Sequence, residues 1–143
     1  MENRFILTAF GKNRPGIVAG ISQVLFENGC NLEDSNMGRL ADEFTLILLL
    51  SGQGDDLKDR LSMACRRLEM EKDIFVVIRP LDNPARSTPV PDHVHTITVD
   101  GLDQAGIVYR ISQLLAEKQI NIETLKSRQR FSPNSGTALY AME

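Results

Sequence analysis

Two short stretches carry the residue types best suited to hold a small charged molecule. Asn13-Arg14-Pro15-Gly16-Ile17-Val18 lies between an apolar run, Phe5 to Phe10, and a run with Ile17, Val18, Ile21, Val24 and Leu25 on one helical face. A strand is expected to end there and a helix to begin. The first N–H groups of such a helix have no intrahelical partner and sit at the positive end of its dipole, so they attract a carboxylate. Ninety residues later Asp103-Gln104-Ala105-Gly106-Ile107-Val108 repeats the layout. Each residue also has a plain structural use. Asn13 and Asp103 are good helix caps, and Pro15 suits a first helical turn. Gly16 and Gly106 serve either ligand approach or close helix–sheet packing. Arg14 is either a carboxylate partner or a solvated surface charge.

Other chemistry finds little support. The only histidines are His93 and His95, alternate residues expected on one strand face, and a metal site needs a third ligand that nothing nearby supplies. No nucleophile elbow, phosphate loop or zinc spacing occurs, so no metal, cofactor or catalysis is expected. Lys126, Arg128 and Arg130 alternate as a basic stripe, but the net charge of −3 argues against direct nucleic-acid binding. Cys30 and Cys65 are expected to fill apolar space in helical contexts, as suits a reducing compartment. No apolar run approaches the roughly 20 residues that cross a bilayer, and the start has no signal-peptide layout. A cytoplasmic protein is the expectation.

The elements that position the turns follow from an internal repeat. Aligning residues 5–34 with 95–124 without a gap gives 12 identities in 30 positions, among them Gly11/Gly101, Gly16/Gly106, Ile17/Ile107, Asn31/Asn121 and Glu33/Glu123. Chance gives about one in fifteen. Four of six prolines fall in 80–92, which marks a semi-extended linker. The expected division is 1–80, linker 81–92, and 93–143.

Repeat one reads as strand 5–10, helix from the Asn13 cap to Asn28-Gly29, strand 31–40, a turn at Ala41-Asp42-Glu43 and strand 44–50. A second helix opened by residues 51–55 follows, with Leu57, Leu61, Ala64, Cys65 and Leu68 on one face and Arg66 and Arg67 near its end, then strand 74–78. The β-α-β-β-α-β order predicts an α+β, ferredoxin-like fold, with two helices on one face of a four-stranded antiparallel sheet. Repeat two reads as strand 94–99, helix 105–118, strand 121–130 and a strand beginning at 137–141. A second helix and fourth strand are not read there. A half-sheet exposes a strand edge, so a shortened chain, a disordered or removed tail, or completion by another chain is expected.

The turn Asn13-Arg14-Pro15-Gly16-Ile17-Val18 and the later Gly29-Cys30-Asn31-Leu32-Glu33 resemble an ACT domain; Asp103-Gln104-Ala105-Gly106 and Asn121-Ile122-Glu123 match more loosely. The tandem arrangement with no attached enzyme is similar to two-ACT regulators. That resemblance implies no catalysis, a small amino acid such as glycine as ligand, and a protein partner such as a transcription regulator, with a homodimer expected. It implies further that Asn13, Arg14, Pro15, Gly16 and Ile17 frame the ligand while Asn31 reaches in from a facing strand. The matching set in repeat two is Asp103, Gln104, Gly106, Ile107 and Asn121. Ala105 and Gln104 replace Pro and Arg there, so the two sites are expected to differ. A detached regulatory subunit of a biosynthetic enzyme, or a dimerisation module without ligand, are the alternatives.

Overall fold

A computed structural model describes residues 2–81, 93–102, 106–136 and 138–143. The chain forms two compact units, residues 1–88 and 89–143.

In the first unit the order is β1 (Glu2–Lys12), α1 (Ile17–Glu27), β2 (Asn31–Leu40), β3 (Glu43–Gln53), α2 (Leu57–Lys72) and β4 (Ile74–Pro80). The strands form one antiparallel sheet, β2-β3-β1-β4, as the β-α-β-β-α-β reading expects. Alternation along β1 and β3 decides which face is covered. Phe5, Leu7, Ala9, Phe44, Leu46, Leu48 and Leu50 join Ile17, Ile21, Leu25, Leu57, Leu61, Cys65 and Leu68 in one core. Fully burying one such leucine contributes about 1.5–3 kcal/mol. The opposite sheet face carries Phe10, Ile47, Phe75 and Val77, all at least 41% exposed, with Phe10 stacked on Phe75 at 5.0 Å.

Several boundaries differ from the sequence expectation. β1 and β3 are longer than their apolar runs because each completes the other's hydrogen-bond ladder, from Glu2↔Gln53 to Lys12↔Glu43. Ser51 and Gly52 therefore belong to β3 rather than opening α2. At Gly52 a Cβ would lie 2.6 Å from Leu57 Cδ2, so a side chain there would force Leu57 to shift. α2 runs on to Lys72, which leaves Arg66 and Arg67 in its interior. The β2–β3 turn is tight: Leu40 pairs with Glu43 and Ala41 takes φ 53°. Cys30 follows α1 rather than lying in a helix, while Cys65 is buried in α2.

The second unit contains β5 (Val99–Leu102), α3 (Ile107–Glu117), β6 (Ser127–Phe131) and β7 (Ala138–Met142), with sheet order β5-β7-β6. This is the β1-β3-β2 part of the first sheet, repeated. α3 spans the residues of α1 advanced by ninety, and even the helix ends agree. Gly29 and Gln119 both take positive φ, 71° and 57°. Their neighbours make matching bonds, Cys30 N–H to Leu25 O at 3.0 Å and Ile120 N–H to Leu115 O at 2.9 Å. The expected strands at 94–99 and 121–130 are corrected: residues 93–98 and 121–126 form no strand. Their counterparts in the first unit are held by the second half of β3 and by β4. Among the described residues the second unit offers only β7 as a partner, and it reaches Val99–Leu102 and Ser127–Phe131. His93 and His95 consequently share no strand face.

Candidate functional site

The turn of the first unit is exposed from Lys12 to Gly16, whereas Ile17 is buried in the core. Lys12 ends β1 opposite Glu43, and Asn13 N–H donates to Asp42 O at 2.7 Å, tying the turn to the β2–β3 hairpin. Asn13 is not the helix cap. That position belongs to Gly16, which takes φ 89° with no side-chain cap bond. Pro15 and Gly16 together reverse the chain before α1 starts, so the proline stands ahead of the helix rather than inside its first turn. A Cβ on Gly16 would meet nothing within 4 Å. Close helix–sheet packing is therefore not why glycine is there; the left-handed backbone is the reason. Above it the first N–H groups of α1 have no side-chain acceptor.

Arg14 is exposed with the rest of the turn, but it also has a partner within the fold. Its guanidinium donates to Lys72 O at the end of α2, where a cation meets the negative end of that helix. The arginine thus fastens the turn to a segment 58 residues away.

Asn31 lies elsewhere. It opens β2 opposite Ser51, whose partner on β1 is Arg4. From Arg4 to the turn is most of β1, about 30 Å at the rise of a strand. Within one unit the Asn13–Gly16 turn and Asn31 do not meet. At Asn31's end a polar cleft is lined by Glu2, Glu27, Asn28, Gln53 and Arg60. Nearby Arg4 Nη2 bonds Glu33 Oε2 at 2.6 Å. That bond, with one from Ser51, holds the Glu33 carboxyl below its usual range. The sequence reading missed the pair, because residues 29 apart show no spacing signal.

In the second unit Asp103, Gln104 and Ala105 lie outside the described residues. Gly106 caps α3 at φ 93° as Gly16 caps α1, again with nothing within 4 Å of a Cβ. Ile107 is half-buried, and Asn121 is exposed with its amide on Glu123 Oε1 at 2.7 Å. Among the described residues no cluster of His, Cys, Asp and Glu could hold a metal ion. None of the described helices is long and apolar enough to cross a membrane.

An antiparallel βαββαβ unit with an open, glycine-capped turn between its first strand and helix defines a class of protein. The ACT-domain family model matches residues 3–77, and the chain belongs to that family. It is 31% identical over 137 residues to the glycine cleavage system transcriptional repressor of Escherichia coli, covering 96% of this chain and 70% of the repressor. A crystal structure of an unknown protein from Galdieria sulphuraria superposes with TM-score 0.76 at 28% identity, covering 99% of this chain and 79% of that one. An ACT domain protein from Streptococcus pneumoniae matches 55% of this chain and 89% of its own, with TM-score 0.51 and 26% identity.

Proposed function

We propose that this chain is a cytoplasmic, non-enzymatic regulator that senses a small amino acid, glycine or a close relative. Residues 1–80 and 93–143 are its two ACT units, and 81–92 the linker. The ligand sits at the Asn13–Ile17 turn, its carboxylate on the uncapped start of α1 and its ammonium on the Asn13 amide oxygen. Because Asn31 is about 30 Å from the turn of its own unit, it serves the ligand of a facing unit, which makes the working form an assembly such as a homodimer. Asp103, Gln104, Gly106, Ile107 and Asn121 form the corresponding, chemically different site. Binding alters contact with a protein partner, a transcription regulator, as the name of the Escherichia coli relative suggests.

The observation that carries this reading is the turn itself: exposed, glycine-capped and with no side chain on the N–H groups of α1. Affinity capture from native lysate, with and without glycine, tests the regulatory half. Ligand-dependent recovery of a DNA-binding protein is expected; recovery of a biosynthetic enzyme would move the chain to a detached regulatory subunit. A second reading, a dimerisation module without ligand, is favoured by the apolar open face around Phe10 and Phe75. A robust dimer whose melting temperature no amino acid shifts would select it.

A further inference from the structure

The open face of the first sheet is laid out as its own complement. Directly paired residues of neighbouring strands point to the same side of a sheet, so the registers set this face out in rows across β2-β3-β1-β4. The middle is apolar, with Phe10, Phe75, Ile47 and Val77 exposed, and the charges stand at the margins. Asp34 on β2 and Arg79 on β4 are the two ends of one row, joined through Leu49 and Ile6. Lys12 and Glu43 lie side by side in another. None of these four makes an ion pair among the described residues. In the row of Phe10 and Phe75 the β2 position is Gly38, through Thr45. Its own unit does not require that glycine: the backbone has no positive φ, and a Cβ would meet only Thr45 Oγ1, at 3.4 Å. A glycine inside a strand often marks a close approach from outside.

We propose that this face is covered by the same face of a second copy, on a twofold axis running along the strands between β3 and β1. Such an axis exchanges β2 with β4 and β3 with β1, and it keeps each row opposite itself. Asp34 of each copy then meets the partner's Arg79, and Lys12 meets the partner's Glu43. Phe75 sits over the partner's Gly38, which leaves room for the ring. Packed sheets keep their strands within about 30° of each other, which a lengthwise axis satisfies. A twofold across the strands would instead set Lys12 on the partner's Ile6 and Glu43 on the partner's Leu49, burying charge without a partner. Opposite charges at opposite margins suit neither a polyanion nor a polycation. Four strands about 4.8 Å apart and about 30 Å long cover about 600 Å² a side, about 1,200 Å² in all, the lower end for a stable interface. The pairing uses no residue of the Asn13–Ile17 turn and stands whether or not an amino acid binds there.

Sedimentation equilibrium of the full chain, without ligand, tests the pairing. The native chain is expected to dimerise. Asp34→Arg and Arg79→Asp each place like charges opposite one another twice, and each should weaken the dimer about ten-fold. Mixed in equal amounts the two variants should recover native affinity, because every like pair becomes an opposite pair across the mixed dimer. Gly38→Leu should abolish the dimer while keeping the native circular-dichroism spectrum. A native chain that stays monomeric, a mixture no tighter than either variant alone, or a folded Gly38→Leu chain that still dimerises overturns the pairing.

Discussion

The chain contains one experiment performed twice, with a different result each time. α1 and α3 have the same length, the same glycine cap and the same closing bonds, yet α1 is sunk in a core and α3 is not. What separates them is not the helix but its surroundings. The first unit places α2, β4 and the full length of β3 around α1, while among the described residues the second places only a short three-stranded sheet beside α3. A local sequence sets where a helix starts and stops; burial is conferred by partners that are distant in sequence. Most helical stability in proteins comes from that packing.

Paired substitutions break or sharpen the comparison. Ile21→Ala should cost about 2–5 kcal/mol, since the side chain is 1% exposed and its loss leaves a cavity. The matching Ile111→Ala should cost less than about 1 kcal/mol, both read from hydrogen exchange in the affected helix. Equal costs would mean that α3 is covered in solution. Gly11→Ala comes next, at about 1–3 kcal/mol of overpacking against Ile74, whereas Gly101→Ala should stay within about 0.5 kcal/mol. Gly16→Ala and Gly106→Ala should each cost about 1 kcal/mol, because both need the left-handed backbone and neither is crowded. Here the prediction is equality, and a large difference would show that the two turns are not the same structure.

The smallest effect concerns Cys65. Burial, then Glu69 and Cys30, push its thiol from 9.0 to about 11. The folded thiol holds its proton where the unfolded one has lost it, so stability is fully present below about pH 9 and declines as pH rises towards 11. Thermal melts across that window should show the decline, and Cys65→Ala should remove it against a lower baseline. The second unit has no buried thiol, and its exchange rates should lack this dependence after correction for intrinsic base catalysis.

How much of this was legible in the sequence divides along the same line. The repeat, the helices and the central strands show themselves, because apolar spacing within ten or fifteen residues reports local structure directly. Residues 94–98 carry a strand's pattern but form none, since pattern cannot tell whether a partner strand exists. The turn was found, but its mechanics were not. Asn13 has the chemistry of a cap, yet Gly16 takes the position, and only a backbone angle reveals that. Arg14 has the chemistry of a surface charge or a ligand partner; its bond to Lys72 O is a further role that depends on the fold bringing the end of α2 to the turn. Asn31 and Asn13 carry related family signals, but the length of β1 keeps them apart within one unit, and a sequence does not display that separation.

The central claim is that the Asn13–Ile17 turn binds a small amino acid. Calorimetric titration of the full chain with a panel of amino acids including glycine, repeated on Asn13→Ala, tests it most directly. The account predicts saturable heat from at least one small member, with affinity falling about ten-fold in Asn13→Ala, the loss of a charge-assisted hydrogen bond, and no change in melting temperature without ligand. No heat from any member, or binding that Asn13→Ala leaves intact, would contradict it.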